Sequence, residues 1–327
     1  MRPCKPGQGA ELFAPSTVKN MSLIRFSFFF LNAAICVGAR SAWAESKAGP
    51  SRVLDVAEGI SFRVIEAGKP SVQPVLVFIP GWSSGADIWR QQIDRFAPTH
   101  RVIAFDPRSQ GESTKTTSGN TPETRAQDLQ ALLERLHVRR PVFIGWSQGV
   151  QDIAAYVERY GTHNLAGLVL VDAAASDGAD GIAARPQETS AQFRMFAIYQ
   201  AHQEEYLRGM MGAIISKPQP EGTIDRLVAT GMKTPPTVGT AMLVADLFGV
   251  NRTAALKKID CPTLIIASAK SDELARQQAG ANRIPHARFE KVEDAAHAVF
   301  LDQPERFDEL LEKFVKDLTT GSAGSMP

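Results

Sequence analysis

PVFIGWSQGV, residues 141–150, passes from an apolar, strand-like run through a Gly-x-Ser-x-Gly turn into QDIAAYVERY, residues 151–160, which has the pattern of a helix. A serine on so tight a strand-to-helix turn leaves no space for large side chains two residues to either side, hence Gly145 and Gly149 around Ser147. Unpaired N–H groups at the start of the helix carry partial positive charge, which favours negative charge developing on an oxygen bound there. The stretch predicts Ser147 as a nucleophile and a sheet whose strands alternate with helices.

The rest of the chain follows that alternation. RVLDV (52–56) and ISFRVIEA (60–67) flank Glu58-Gly59 and read as an opening antiparallel pair. PVLVFIP (74–80), RVIAFD (101–106), LAGLVLVD (165–172), PTLIIAS (262–268) and ARFEKV (287–292) read as further strands, several of them apolar enough to be covered on both faces. Thr121-Pro122 offers a helix cap and a first-turn proline, after which Leu129, Leu132, Leu133 and Leu136 recur at helical spacing. Phe307, Leu310, Leu311, Phe314, Val315 and Leu318 repeat the pattern after Pro304, and the Gly/Ser-rich tail from Thr319 is expected to fray. The expected fold is α/β: a mostly parallel central sheet flanked by helices.

One interval breaks the alternation. Residues 176–256 hold the helical pieces 190–214 and 237–248, separated by Pro218, Pro220, Pro235 and Pro236. An insertion at the carboxyl ends of strands predicts a helical cap within a domain spanning 51–318. Phe193, Phe196 and Met210 are candidates for an apolar substrate pocket with Trp146 and Ser83, against the alternative that the cap residues are its own core.

A serine hydroxyl needs a base to take its proton during attack. His297, after the last strand in VEDAAHAVFLDQP, sits among the small residues Ala295, Ala296 and Ala298, which let a loop approach the serine. His286 is the rival, but it precedes that strand and belongs at its opposite end. The acid that orients the imidazole is expected to be Asp272, after PTLIIASAKS, with Asp172 at the end of LVLVD as the alternative. Backbone N–H groups of Trp82 and Gln148 are the expected oxyanion donors, Gly81 letting the main chain turn inward. In FDPRSQGES (105–113), Asp106, Arg108 and Ser113 are expected to brace one another and the nucleophile turn.

Composition narrows the function. Met21–Ser46 has Arg25, an apolar run from Phe26 to Ala39 and the small-residue site Ala42-Trp43-Ala44, the layout of a cleaved secretory signal. Residues 1–20 read as an over-extended start, with export to the periplasm or medium after cleavage near Ala44. The leader holds five of the 36 basic and one of the 35 acidic side chains, so the mature charge is −3, with no basic excess for nucleic acid. The apolar run is too short for a membrane span. Of the three cysteines only Cys261 follows the leader, so no intrachain disulfide is expected. The six histidines form no metal-ligand spacing, and there is no phosphate-binding glycine motif, so neither metal nor cofactor is expected.

Over about residues 51–318 the chain resembles the α/β-hydrolase superfamily, within it the capped group of small bacterial esterases, arylesterase-like enzymes and cofactor-free haloperoxidases. FDPRSQGES resembles the group's D-x-R-G-x-G-x-S loop, GWSQG its nucleophile elbow, CPTLIIASAKSD its P-T-L-x-x-x-G-x-x-D segment and HAVFLDQPERF its H-x-x-x-x-x-x-P-x-x-F ending. The resemblance implies Ser147 as nucleophile, Asp272 as acid, His297 as base and the Trp82 and Gln148 amides as oxyanion donors. Pro80 stands where the group commonly has His, Ser109 where it has Gly, and Gln148 where haloperoxidase-like members often have Met. The expected activity is hydrolysis of a small-molecule carboxylic ester or lactone. The alternatives are cleavage of a carbon–carbon or amide bond, or a non-catalytic binding protein that kept the fold.

Overall fold

Leu76–Ile79, Val142–Trp146 and Gly167–Val171 are buried at every position, as strands are when helices cover both faces of their sheet. They form the centre of a computed structural model that describes residues 49–69 and 73–320. The expected start, signal and cleavage site lie outside the described residues, as do residues 321–327 of the tail.

The chain opens with β1 (Ser51–Ala57), β2 (Ile60–Ala67), β3 (Leu76–Ile79), α1 (Arg90–Phe96), β4 (Val102–Phe105), α2 (Pro122–Arg135), β5 (Val142–Trp146), α3 (Gln148–Tyr160) and β6 (Gly167–Val171). The insertion carries α4 (Ala179–Ala184), α5 (Pro186–Ala201), α6 (Gln203–Ile214), α7 (Thr223–Gly231) and α8 (Pro236–Phe248). Then follow β7 (Thr263–Ser268), α9 (Leu274–Ala281), β8 (Ala287–Val292), α10 (Val299–Asp302) and α11 (Pro304–Thr320). Thr121 caps α2, its hydroxyl accepting from Thr124 N–H at 3.4 Å, and Pro122 occupies the first helical position.

The strands form one sheet in the order β1-β2-β4-β3-β5-β6-β7-β8. β1 and β2 pair antiparallel, as do β2 and β4, and the other pairs are parallel. β4 lies on one side of β3 and β5 on the other, so the sheet changes its direction of growth there. Loops leaving such a switch point diverge and open a crevice at the carboxyl ends of the strands. Register sets Ile79 beside Gly145 and Trp146 beside Val171, so the segments after β3, β5 and β6 emerge as neighbours.

Alternate strand side chains feed two apolar layers. Leu76, Phe78, Val142 and Ile144 pack with Ile93, Phe96, Phe307 and Leu311 of α1 and α11. Val77, Ile79, Phe143 and Leu168 pack with Leu129, Leu132, Ile153 and Val157 of α2 and α3. Each such side chain contributes about 1.5–3 kcal/mol on burial. Trp89 stacks on Phe300 with centroids 3.9 Å apart and touches Phe78 and Phe307, tying α10 and α11 to β3.

The insertion differs from its sequence reading in three places, the first being α4, which lies ahead of the expected helical pieces. The helical piece 190–214 is two helices, broken at His202, whose φ of −140° and ψ of 62° leave the helical region. α7 is a helix in the proline-bounded interval where none is expected. The chain end also differs: Thr319 and Thr320 still belong to α11, both hydroxyls donating to the Lys316 carbonyl. Among the described residues no helix is long and apolar enough to cross a membrane.

Candidate active site

Ser147 is the residue between β5 and α3, with φ 55° and ψ −115°. A non-glycine residue held there costs on the order of 1–3 kcal/mol and persists only where the surroundings enforce it. Here Ser147 N–H donates to the Val171 carbonyl at 3.2 Å and its own carbonyl accepts from Val150 N–H at 2.9 Å. The flanking glycines are required by contact: a Cβ on Gly145 would come within 2.7 Å of the Gly149 carbonyl, and one on Gly149 within 2.7 Å of the Ile79 carbonyl.

His297 is brought to the same end of the sheet by the loop after β8. Its backbone carbonyl accepts from Trp146 Nε1 at 2.9 Å and its ring lies 5.2 Å from the indole. The loop is anchored on both sides of the ring. Ala296 N–H donates to Asp302 Oδ2 at 2.7 Å, and Ala298 N–H donates to the Ile214 carbonyl at 2.8 Å. Asp302 also accepts from Ser216 and Lys217 backbone N–H groups, which fastens the loop to the end of α6. His286 is exposed immediately before β8, away from this end.

The acid beside the histidine is Asp172, not Asp272. Asp172 Oδ2 lies 2.8 Å from His297 Nδ1, and its carboxylate is 1% exposed. Oδ1 accepts from Ser268 N–H at 2.8 Å and Gln277 Nε2 at 3.1 Å. With both oxygens used as acceptors, Nδ1 is the donor, which leaves Nε2 as the basic nitrogen. Asp272 is exposed in the succession of turns between β7 and α9. Counting the P-T-L-x-x-x-G-x-x-D segment from Pro262 puts its final position at Ser271, one residue short of Asp272. Ser271 Oγ accepts from the same Gln277 amide at 2.9 Å, so that position supports Asp172 through Gln277. Among the described residues no hydrogen bond joins the Ser147 hydroxyl to His297.

The loop after β3 passes against the serine turn. A Cβ on Gly81 would fall 2.8 Å from the Trp146 ring and 3.2 Å from Ser147 Cβ, so only glycine permits this approach. Trp82 follows it, while Gln148 is the first residue of α3 and its N–H has no acceptor within the helix. A strand–serine–helix turn at the switch point of this sheet, a buried aspartate on a late histidine, and a model of the alpha/beta hydrolase family matching residues 76–310 agree.

The chain belongs to the α/β-hydrolase family.

This hydrolase is 30% identical over 263 residues to a non-heme chloroperoxidase of Streptomyces lividans, covering 74% of this chain and 91% of the relative. A bromoperoxidase from Bacillus anthracis shares the fold with a TM-score of 0.73 at 20% identity, over 82% of this chain and 100% of that one. An esterase from Exiguobacterium antarcticum does so with a TM-score of 0.70 at 21% identity, over 81% and 98%.

The bracing expected of FDPRSQGES divides in the hydrolase. Asp106 accepts from Ala86 N–H at 2.7 Å and Glu112 N–H at 2.8 Å, and Ser113 Oγ donates to the Asp106 carbonyl at 2.6 Å. Arg108 does not join them: it forms a two-pronged pair with Asp128 of α2, at 2.7 and 2.6 Å. The nucleophile turn is braced from this loop by Gln110, whose Nε2 donates to Gln148 Oε1 at 2.9 Å.

The expected pocket residues also part company. Trp146 is buried behind the His297 ring and against Phe300. Ser83 Oγ donates to the Gly231 carbonyl at 3.1 Å and Trp82 Nε1 to the Gly239 carbonyl at 2.8 Å, so both side chains seat the insertion on the sheet. Phe193 stacks on Phe248 with centroids 5.3 Å apart and meets Phe196 at 5.7 Å, an aromatic cluster between α5 and α8. Phe193 is 49% exposed. These phenylalanines pack the cap. Met210 is half-buried against the main apolar layer.

Proposed function

We propose that the chain hydrolyses a small carboxylic ester or lactone, with Ser147 as nucleophile, His297 as base and Asp172 as its acid. The observation that carries the reading is the 2.8 Å contact between Asp172 Oδ2 and His297 Nδ1, made at the sheet end where Ser147 occupies its strained turn. In this reading Ser147 Oγ attacks the carbonyl carbon as Nε2 takes its proton, and the backbone N–H groups of Gln148 and Trp82 receive the oxyanion. Collapse expels the alcohol, protonated by the imidazolium, and leaves an acyl-serine. Water, deprotonated by the same nitrogen, then releases the carboxylic acid. Asp172 holds the imidazole in place and stabilises the imidazolium.

A fluorophosphonate probe tests the nucleophile. The expected result is covalent labelling of the full chain, abolished by Ser147→Ala, together with turnover of aryl esters by the unlabelled protein. Labelling that survives the substitution contradicts the assignment, and a folded chain that takes no label supports the binding-protein alternative. Preferential turnover of diketones or amides over esters supports the carbon–carbon or amide reading.

A second reading, in which hydrogen peroxide replaces water as the acyl acceptor and a peracid leaves, follows from the resemblance to cofactor-free haloperoxidases, and Gln148 in the place where such members often carry Met counts against it. Peracid formation exceeding hydrolysis at millimolar peroxide is the result that favours it. We also infer export with cleavage after Ala44, on the strength of the sequence layout alone.

A further inference from the structure

Asp246 belongs to α8 of the insertion, is 3% exposed, and takes no part in the proton transfers above. It accepts from Gln148 Nε2 on one oxygen and from Arg125 Nη2 on the other. The far end of the Gln148 amide is held as well, since Oε1 accepts from Gln110 Nε2 at 2.9 Å. Arg125 also donates through Nε to Asp152 Oδ1 at 2.8 Å. Gln148, Asp152, Arg125 and Asp246 are all buried.

Gln148 and Asp152 are four residues apart, hence on one face of α3. A single carboxylate from the insertion therefore grips the first two turns of that helix, directly at Gln148 and through Arg125 at Asp152. Stability alone does not explain it, because apolar residues of similar volume often replace a buried ion cluster at no loss of stability. What the cluster adds is position. Gln148 follows a residue held in strained backbone, and a side chain anchored at both ends opposes rotation of the peptide that joins them.

We propose that Asp246 is a positioning residue for hydrolysis: by holding the Gln148 side chain and, through Arg125, Asp152, it keeps the Gln148 backbone N–H aimed at the oxyanion while α8 is seated on α3. The inference rests on the Ser147 reading and extends it to a residue of the cap. It makes the rate of acyl transfer depend on how the insertion sits, with substrate affinity set elsewhere.

The test is a double-mutant cycle in the full chain, combining Asp246→Ala and Gln148→Met, with a short-chain 4-nitrophenyl ester as substrate and fluorophosphonate labelling alongside. Each single change is expected to lower kcat by about tenfold to a hundredfold, the size of effect that slight misplacement of a reacting group produces, with KM held within about threefold. Because both remove the Asp246–Gln148 contact, the double variant should lose less than the product of the two single losses. Asp246→Asn, which keeps a carbonyl acceptor, should recover part of kcat. Losses that multiply, or an Asp246→Ala effect confined to KM or to thermal stability, overturn the proposal. Gln148→Met leaves Arg125 between its two carboxylates, so it decides the matter if Asp246→Ala does not fold: unchanged kcat overturns the proposal. An active, labelled wild type with unchanged kcat in both variants sinks this inference alone. A wild type that neither labels nor turns over sinks the Ser147 reading and this one with it.

Discussion

Asp172 shows what one residue's place in a ladder decides. It follows Val171, which pairs with Ile266, and its N–H donates to the Ile266 carbonyl. At φ 45° it adopts a left-handed conformation that Asp tolerates better than most residues, and this turns its carboxylate to Ser268, Gln277 and His297. Ser147 and His297 are legible in the sequence as candidates because glycine spacing and small neighbours are local signals. The choice between Asp172 and Asp272 is not, since it depends on partners about a hundred residues away and on a one-residue offset in a degenerate segment. Ser271 and Asp172 share the Gln277 amide, so a carboxylate at 271 lies within reach of the same machinery. Ser271→Asp is expected to restore at least about tenfold of the activity that Asp172→Asn removes, out of a loss on the order of 10⁴. Steady-state kinetics of the single and double variants check this, and a double variant no better than Asp172→Asn contradicts it.

Elements were legible wherever periodicity was strong. The leucine stripe of α2 and the apolar runs of β3, β5 and β6 state their burial in one dimension, whereas the break at His202 and the existence of α7 depend on packing among the insertion's own helices. The aromatic stack beneath the histidine loop was also hidden, because Trp89, Phe300 and Phe307 meet only in the fold. Trp89→Ala should lower stability by about 3–5 kcal/mol in urea unfolding, and a loss below about 1 kcal/mol contradicts the role given to the stack. In α3, burial is the main influence pushing the Asp152 carboxyl up to about 7, with Arg125 opposing and Asp246 adding to the rise. The folded chain then holds this proton to higher pH than the unfolded chain does. The group's contribution to stability therefore falls as pH rises from 3.8 to about 7, and is level above that. Asp152→Asn should flatten that part of the profile of Tm between pH 4 and 8, and an unaltered slope contradicts the assignment.

At the scale of the molecule, the order of strands places the chemistry. A sheet that grows outward from β3 in one direction and then the other leaves its crevice where the segments after β3, β5 and β6 emerge, and Gly81-Trp82, Ser147 and Asp172 occupy those three segments. The alternation of strand and helix made this architecture legible, while the seating of the insertion through Asp246 and Arg125 was not, because buried charges in sequence look like surface ones. Export is a prediction at this scale: intact mass of the protein recovered from the periplasm or medium should match a chain beginning at Glu45, and a retained leader contradicts it. The account as a whole turns on an imidazole oriented by a carboxylate at the end of β6. Its most direct test is kcat/KM for an aryl ester in Asp172→Asn beside Asp272→Asn: the account predicts a fall on the order of 10⁴-fold for the first and a change within about twofold for the second, and equal effects, or the larger loss at Asp272, would contradict it.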